Sequence, residues 1–274
     1  MAAETSAPPK PASLEQAAPR RGAVSAVVLP IMGLVLAVAA WWGAIVVFHV
    51  PPIIVPAPDD VLSASLALRT ELIKQSLSTL TAVLIGFGIS VIAGALIGAA
   101  IAAWRPIERM FQPLLVAINA IPKVALAPLL LIWLGYGRTP VLAMAFLVCF
   151  FPIVLSTAAG LTSTPTELVE LVRSMDSSRL QLFRWIRLPA ALPQIFVGFK
   201  IAMPLAVIGV VVGEMQYGES GLGTVIVQTS GQADTATAFA AIVLLALVSV
   251  VLYYGIVLVE RLALPWVRAT TSAR

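Results

Sequence analysis

The sequence predicts an all-α polytopic membrane protein with six transmembrane helices. Hydrophobic residues make up 60% of its 274 residues and charged residues only 11%, more apolar surface than one soluble core can bury. Uncharged windows long enough to cross a hydrocarbon layer of about 30 Å recur along the chain, and the alternating pattern of a β-barrel is absent. Helices satisfy their own backbone hydrogen bonds in lipid, so they are the predicted spans.

Six apolar stretches predict the spans, and in chain order they are 24–48, 76–104, 111–136, 139–161, 190–215 and 237–259. The first is too long for the apolar core of a signal peptide, and no clear cleavage site precedes the next polar loop. The second contains small residues every four positions, which predicts close helix packing within the subunit rather than at a dimer seam: Ser90, Gly94, Gly98 and Ala102. In the third, Pro122 and Pro128 predict a bent helix.

The distribution of basic residues predicts the orientation. Six spans place both termini on one side, and with the N-terminus inside, twelve Lys and Arg residues fall in cytoplasmic segments. Only three fall in outer loops: Arg69, Lys74 and Arg138. Both termini are therefore predicted to be cytoplasmic, with a disordered tail over 1–22, a membrane domain over 23–265 and a short C-terminal tail over 266–274.

Charge and cysteine usage exclude several classes of function. The net charge of +4 follows from the inner-face arginines, which suit anionic lipid, and does not indicate nucleic acid as a partner. Cys149 is the single cysteine and lies within a span, which favours a packing role over a disulfide. No G-x-x-x-x-G-K-[ST] phosphate cradle is present, so the chain is not expected to hold ATP, and we predict no catalytic or metal-binding residues.

The most polar internal segment lies between the fourth and fifth spans and reads TPTELVELVRSMDSSRLQLFRWIRL over 164–188. Thr164 is predicted to cap a helix in which Pro165 is the first residue and Glu167 reaches back to the cap. That helix is predicted to end near Met175, after which residues 176–178 supply a stop and a new cap for a second helix over 179–187. The alternative is an ordinary amphipathic interfacial loop with positive-inside arginines.

The segment resembles the coupling loop of bacterial importer permeases, which reads E-A-A, three residues, G, nine residues, I-x-L-P. The matching residues are Glu170-Leu171-Val172, Asp176 and Ile186-Arg187-Leu188-Pro189, at the same spacing. Further motifs over 128–137, 150–161 and 221–223 are similar to those of the nitrate, sulfonate and taurine group of ABC importer permeases. The chain departs from the pattern at Leu171-Val172 and at Asp176, although aspartate is one of the few residues that tolerate positive φ.

The resemblance implies a type I ABC importer permease fold in the bacterial inner membrane. It implies a homodimer bound to two separate ATPase subunits, which carry ATP and Mg²⁺, and a periplasmic or lipid-anchored substrate-binding protein. No cofactor is expected on this chain, which would not itself be an enzyme. The residues expected to contact the ATPase are Glu167, Glu170, Arg173, Ser174, Asp176 and Arg179.

Polar residues within spans predict the substrate pathway, because ionisable groups in lipid are costly and commonly functional. The candidates are Asn119, Lys123, Lys200 and Glu214. Lys123 either faces the pathway and favours an anionic substrate, or reaches the interface or pairs with a carboxylate such as Glu214. The outer segments 49–75 and 216–236 are the expected docking surface for a binding protein.

The substrate class stays open between small anions, such as nitrate or sulfonates, and pyrimidine or vitamin precursors, with residues 206–214 favouring the second. One alternative function is an ion-coupled secondary transporter, which needs related halves and buried coupling carboxylates. The sequence shows no internal repeat, and Glu214 is the one clear acidic candidate in a span. Another alternative is a membrane assembly factor or sensor without transport activity. Copurification with an ATPase would separate these possibilities.

Overall fold

The computed structural model describes residues 23–103 and 105–266, and in these ranges the regular elements are all helical. The first six helices are α1 Ala23–Phe48, α2 Pro58–Ala67, α3 Arg69–Ala103, α4 Arg105–Asn119, α5 Ala127–Leu134 and α6 Arg138–Thr162. The remaining five are α7 Thr166–Ser174, α8 Arg179–Leu182, α9 Leu188–Tyr217, α10 Leu222–Gly231 and α11 Thr235–Ala263. The predicted tail over 1–22 and residues 267–274 of the C-terminal tail lie outside the described residues.

The predicted spans coincide with the long apolar helices. Five helical stretches in the described ranges can each cross a membrane: Val28–Phe48, Arg69–Ala103, Arg138–Thr162, Arg179–Tyr217 and Thr235–Ala263. The second span begins earlier than predicted, so Arg69 and Lys74 lie in the first turns of α3 rather than in a loop. The segment before it, which the sequence interpretation treated as an outer loop, also contains α2. The all-α membrane fold is confirmed.

The prediction of one bent helix over 111–136 needs correction, because the third span is broken. Arg109–Asn119 and Lys123–Leu134 meet at 75°, and a short 3₁₀ turn over Lys123–Leu126 follows the break. Pro122 causes the interruption, since it has no N–H to donate and it disfavours helical dihedrals at Ile121. The Pro122 carbonyl instead accepts a bond from the Ala125 N–H at 2.9 Å, which starts the turn.

The chain divides into two units at His49. In the first unit the structure describes α1, a continuous apolar helix that contains Pro30 near its start. The second unit begins at Val50 and contains all the other helices. Its core is built around α6.

One side of α6 packs on α3 through small residues spaced four apart. Gly86 meets Ala145, Gly94 meets Ile153 and Gly98 meets Thr157, and at all three positions an added Cβ would lie under 3.0 Å from its neighbour. Between them, the buried thiol of Cys149 donates to the Ser90 hydroxyl at 3.0 Å. Residue numbers rise together along both helices, so α3 and α6 run parallel. The small-residue ridge and Cys149 both serve packing within the subunit, as predicted.

The other side of α6 packs on α9, which runs in the opposite direction. An added Cβ on Gly160 would lie 2.9 Å from the Ala191 carbonyl oxygen, and one on Gly213 would lie 2.9 Å from the Val141 Cα. Numbers rise on one helix as they fall on the other, so this pair is antiparallel. The segment between α6 and α9 therefore lies at the end of the bundle where α3 also finishes, opposite the end where α3 and α6 begin.

Candidate functional site

The segment between α6 and α9 contains the two predicted helices, but the first begins later than predicted and the second continues into α9. Thr164 is not the cap, and Pro165 is not the first helical residue. Pro165 has an extended ψ of 136° and occupies the cap position without a side-chain bond, so Thr166 is the first residue of α7. The prediction failed because the extended ψ of Pro165 delays the helix by one residue. The Thr164 hydroxyl is instead buried, with no hydrogen-bond partner among the described residues.

The turn between α7 and α8 is the predicted stop and new cap. Asp176 has a φ of 61°, in the left-handed region where the resembling loops carry glycine. Its N–H bonds the Arg173 carbonyl at 3.1 Å, which closes α7. Ser178 then caps α8 by accepting from the Gln181 N–H, while the Gln181 side chain accepts from the Ser178 N–H. This reciprocal capping box fixes where the second helix begins.

The second helix of the loop continues into the membrane span. Five residues, Phe183–Arg187, form a π-helical turn that joins α8 directly to α9. Arg179–Tyr217 is consequently one continuous helical stretch of 39 residues. The predicted helix over 179–187 is therefore the start of the fifth span and not a separate element. The start of this helix in the loop is thus continuous with the part of α9 that packs along α6.

Two opposite faces of α7 have different surroundings. One face, with residues three or four apart, lines a cavity of about 920 Å³: Thr166, Val169, Glu170 and Arg173. The opposite face carries Leu168, Leu171 and Met175, and the last two are 60% and 74% exposed. Leu180 on α8 is exposed to 73% as well. We call Leu171, Met175 and Leu180 the apolar stripe, because large exposed apolar side chains on an otherwise polar loop mark a contact surface.

The residues predicted to contact an ATPase are divided between these surfaces. Glu170, Arg173 and Arg179 line the cavity. Glu167, Ser174 and Asp176 are exposed and do not line it. Sequence reasoning overlooked the apolar stripe as a contact surface and Arg187 as a cavity residue. The sequence signal for the stripe was the helical spacing of the apolar residues Leu168, Leu171 and Met175.

Asn119 and Lys123 lie together at the break in the third span. The Lys123 amine donates to the Asn119 carbonyl and to its side-chain oxygen, both at 2.8 Å. It also lies 5.3 Å from the centre of the Phe151 ring, within the range of a cation–π contact. Lys123 does not contact Glu214, the carboxylate that the sequence analysis named as one alternative partner.

Lys200 is paired across the bundle with an acidic residue that sequence reasoning did not select. Its amine lies 3.0 and 2.9 Å from the two carboxylate oxygens of Glu260 near the end of α11. Both side chains are about a quarter exposed, at 24% and 23%. The only sequence signal for Glu260 was an acidic residue close to the end of the last span.

Glu214 is buried at the end of the bundle opposite the loop. Its carboxylate accepts from the Thr79 hydroxyl at 2.8 and 3.0 Å and from the Gly223 N–H at 2.9 Å. The Thr79 oxygen accepts in turn from the Leu222 N–H at 2.9 Å, and the Gly221 N–H donates to the Gln75 side chain at 2.6 Å. We call Gln75, Thr79, Glu214 and residues 221–223 the outer clasp.

The four predicted pathway residues therefore occupy three separate places: Asn119 with Lys123, Lys200 with Glu260, and Glu214 with Thr79. Within residues 23–103 and 105–266, no group of three or more His, Cys, Asp or Glu side chains is placed to hold a metal ion.

Residues 90–264 match the family described as the binding-protein-dependent transport system inner membrane component. This range begins within α3 and ends just past α11, so it includes the loop, the break in the third span and the outer clasp apart from its two α3 residues.

Three curated relatives are similar over most of their length. The riboflavin transport system permease protein RibX of Chloroflexus aurantiacus is 36% identical, over 87% of this chain and 89% of the relative. The formylaminopyrimidine transport permease protein ThiX of Halalkalibacterium halodurans is 35% identical, over 78% of this chain and 86% of the relative. The taurine transport system permease protein TauC of Escherichia coli is 26% identical, over 88% and 90%.

Among solved structures, an inward-facing conformation of the MetNI methionine ABC transporter is similar, with a TM-score of 0.63. The match covers 71% of this chain and 97% of the solved chain at 19% sequence identity, which supports the fold alone.

Proposed function

Because the chain belongs to the family of binding-protein-dependent transport system inner membrane components, we propose that its loop over 164–189 receives the force of an ATPase partner. The chain is a permease, the non-catalytic membrane subunit of an ABC importer, and this role implies an ATPase and a binding protein as partners. We infer further that two copies form a homodimer bound to two ATPases in the bacterial inner membrane, with the loop and both termini in the cytoplasm.

The observation that carries the coupling proposal is the continuity of the helix over Arg179–Tyr217. The capping box at Ser178 begins this helix inside the loop, and the π-helical turn carries it into α9. Because α9 packs tightly against α6, movement of the loop would displace the two central helices together. Such rigid-body displacement is a common way to switch a transporter between two openings.

The ATPase contact is proposed to centre on the apolar stripe, flanked by charged residues. Leu171, Met175 and Leu180 are exposed, and burial of apolar side chains is the main source of affinity at protein contacts. Glu167 and Asp176 lie on the same loop outside the cavity and are free to pair with basic groups of the partner. Leu171 and Val172 are bulkier than the two alanines of the resembling loops, so a groove that accepts them must be correspondingly wider.

The substrate pathway is proposed to pass the break in the third span. A lysine amine has three donors, and Asn119 accepts two of those on Lys123. One donor remains for an acceptor atom of a passing solute. Irregular backbone at membrane depth is tolerated where it lines a cavity or is buried in protein, which fits a break at this position.

We propose a heteroaromatic vitamin or pyrimidine precursor as the substrate class. The relatives named for riboflavin and formylaminopyrimidine transport are 36% and 35% identical, whereas the taurine permease is 26% identical. The fifth-span sequence over 206–214 favours the same branch. Ring carbonyls and ring nitrogens of such compounds can accept the remaining donor of Lys123.

A reconstituted complex tests the function. The chain is expressed with its candidate ATPase, purified, placed in lipid nanodiscs, and assayed for ATP hydrolysis with and without binding protein and ligand. We expect a stoichiometric complex whose hydrolysis rises only when liganded binding protein is added. If no ATPase coelutes, or if a proton or sodium gradient alone drives uptake, the chain is not an importer permease.

A further inference from the structure

The cavity behind the loop carries an excess of positive charge. Arg173, Arg179 and Arg187 line it together with one carboxylate, that of Glu170. Among the residues that the structure describes, none of these three guanidinium groups makes an ion pair or a hydrogen bond. Arg173 and Arg179 are exposed, whereas Arg187 is half-buried, so the uncompensated desolvation cost of a charge without an anionic partner falls mainly on Arg187. The cavity is therefore suited to an anion.

Two residues of the cavity lining each have a buried polar atom without a hydrogen-bond partner, which is a second indication of a ligand. The Nε of Arg187 and the hydroxyl oxygen of Thr164 are both buried and have no partner among the described residues. Buried donors in proteins are almost always bonded to protein, water or ligand. An N–H, a hydroxyl and several guanidinium donors in one cavity match an oxyanion with several acceptor oxygens, such as a phosphate.

The rest of the lining is mostly apolar, with Thr162 and Thr166 as polar members, and comes from the ends of the spans and from the loop. Ala102 and Ala103 come from the end of α3 and Leu161 from the end of α6, while Val169 and Leu182 are buried side chains of the loop. The cavity thus lies between the loop and the ends of the spans, on the membrane side of the loop. An occupant that is anionic at one end and apolar at the other would match both parts of this lining.

We propose that this cavity binds the phosphate of an anionic phospholipid. The three arginines and Thr164 bind the phosphate oxygens, and the glycerol region covers the apolar wall. The ATPase contact proposed above lies on a different surface, because the apolar stripe is on the opposite face of α7. The proposal rests on the proposed function only in placing the loop at a membrane surface. The lipid would brace the loop against the ends of α3 and α6.

The test uses the full chain without its partners. The protein is purified in detergent with equal amounts of phosphatidylglycerol and phosphatidylcholine, and bound lipid is measured by native mass spectrometry. Two variants remove a cavity charge, Arg179→Gln and Arg187→Gln, while Thr164→Val removes the hydroxyl without changing charge. The matched control is Arg261→Gln, which removes an arginine from the end of α11 that does not line the cavity.

Wild-type protein is expected to retain phosphatidylglycerol in preference to phosphatidylcholine. Each arginine variant should lose about five-fold in affinity, equivalent to ~1 kcal/mol for one basic residue near a charged lipid. Thr164→Val should bind more weakly than wild type, and the Arg261→Gln control should bind equally. Monodisperse elution of every variant shows that the differences are not caused by misfolding.

Three outcomes would overturn the lipid assignment. Equal phosphatidylglycerol retention by all variants would mean that the cavity does not bind it. Displacement of bound lipid by millimolar inorganic phosphate would assign the cavity to a soluble anion. Unchanged lipid binding, with loss of ATPase from the complex in the same variants, would make the cavity part of the ATPase contact. Because lipid retention is measured without ATPase, its failure is distinct from failure of the proposed coupling function.

Discussion

The carboxylate of Glu214 on α9 accepts two short contacts from the hydroxyl of Thr79 on α3, at 2.8 and 3.0 Å. The residues are 135 positions apart in sequence, and both are almost completely buried. A third bond, from the Gly223 N–H, ties the start of α10 to the same carboxylate. Three elements are thus held together at one end of the bundle by one acidic side chain.

Replacement of Glu214 by glutamine is expected to destabilise the protein. With its oxygen at the Oε2 position the amide still accepts from Thr79 and Gly223, but the NH₂ that replaces Oε1 has two donors where the Thr79 oxygen can accept from one, so a buried N–H loses its acceptor. A buried unsatisfied group costs about 1–3 kcal/mol, which should appear as a lower melting temperature in detergent. Glu219→Gln is the matched control, because Glu219 is exposed and outside the clasp. Equal melting temperatures of the two variants would show that the clasp contributes little to the stability of the protein.

Gly221 is expected to reject any side chain. Its φ is 117°, and an added Cβ would collide with the Glu214 carboxylate. Gly221→Ala therefore combines backbone strain with displacement of the clasp, and should lower the yield of folded protein or its melting temperature by several degrees. Gly231→Ala is the control, since its Cβ meets no atom within 4 Å and its φ is ordinary. A wild-type melting temperature for Gly221→Ala would contradict the structure of this turn.

The close contact between α3 and α6 predicts that alanine is tolerated at some glycines of α3 and not at others. An added Cβ at Gly98 would lie 2.7 Å from the Thr157 Cβ and 2.9 Å from the Val154 carbonyl oxygen. Gly98→Ala should force the helices apart and cost about 1–3 kcal/mol, measured by thermal unfolding. Gly88→Ala, on the same helix with open space around it, should be neutral or slightly stabilising. If Gly88→Ala were less stable than Gly98→Ala, the small-residue ridge would not set the distance between these helices.

Hydropathy predicted the spans because crossing a lipid layer constrains composition along the chain itself. The positive φ of Asp176 could also be predicted from the sequence, because a tight turn out of a helix selects a few residue types. Side-chain partners on distant helices could not be predicted from the sequence. Neither the contact of Lys200 with Glu260 nor that of Glu214 with Thr79 follows from local periodicity. The cap at Thr164 failed for a local reason, since an extended Pro165 delays the helix by one residue.

The apolar stripe is expected to determine the affinity for the ATPase. Leu171→Ser removes an exposed leucine from the stripe, and should reduce the amount of coeluting ATPase about tenfold, since burial of one leucine contributes about 1.5–3 kcal/mol. Leu66→Ser is the control: Leu66 has a similar exposure, 64% against 60%, but lies on α2. Equal ATPase recovery from the two variants would exclude the stripe as the contact.

Lys123 is expected to affect transport without affecting assembly. Its side chain contacts Asn119 and the Phe151 ring, and within residues 23–103 and 105–266 it forms no ion pair with a carboxylate. Lys123→Met keeps the length of the side chain but removes the three donors. Uptake by the reconstituted complex should fall about tenfold, as for loss of one charged hydrogen bond, while ATPase coelution stays unchanged.

Lys200→Met is the control for Lys123→Met, because it is expected to lower the melting temperature, which Lys123→Met should leave unchanged. It breaks the pair with Glu260 and leaves a carboxylate between α9 and α11 without its cation, so the melting temperature should fall. Lys123→Met should melt close to wild type, because its removal leaves no buried charge behind. If Lys123→Met melted early and transported at the wild-type rate, the amine would be a structural brace for the broken span. A loss of uptake at unchanged stability would instead require that the solute passes within hydrogen-bonding distance of this break.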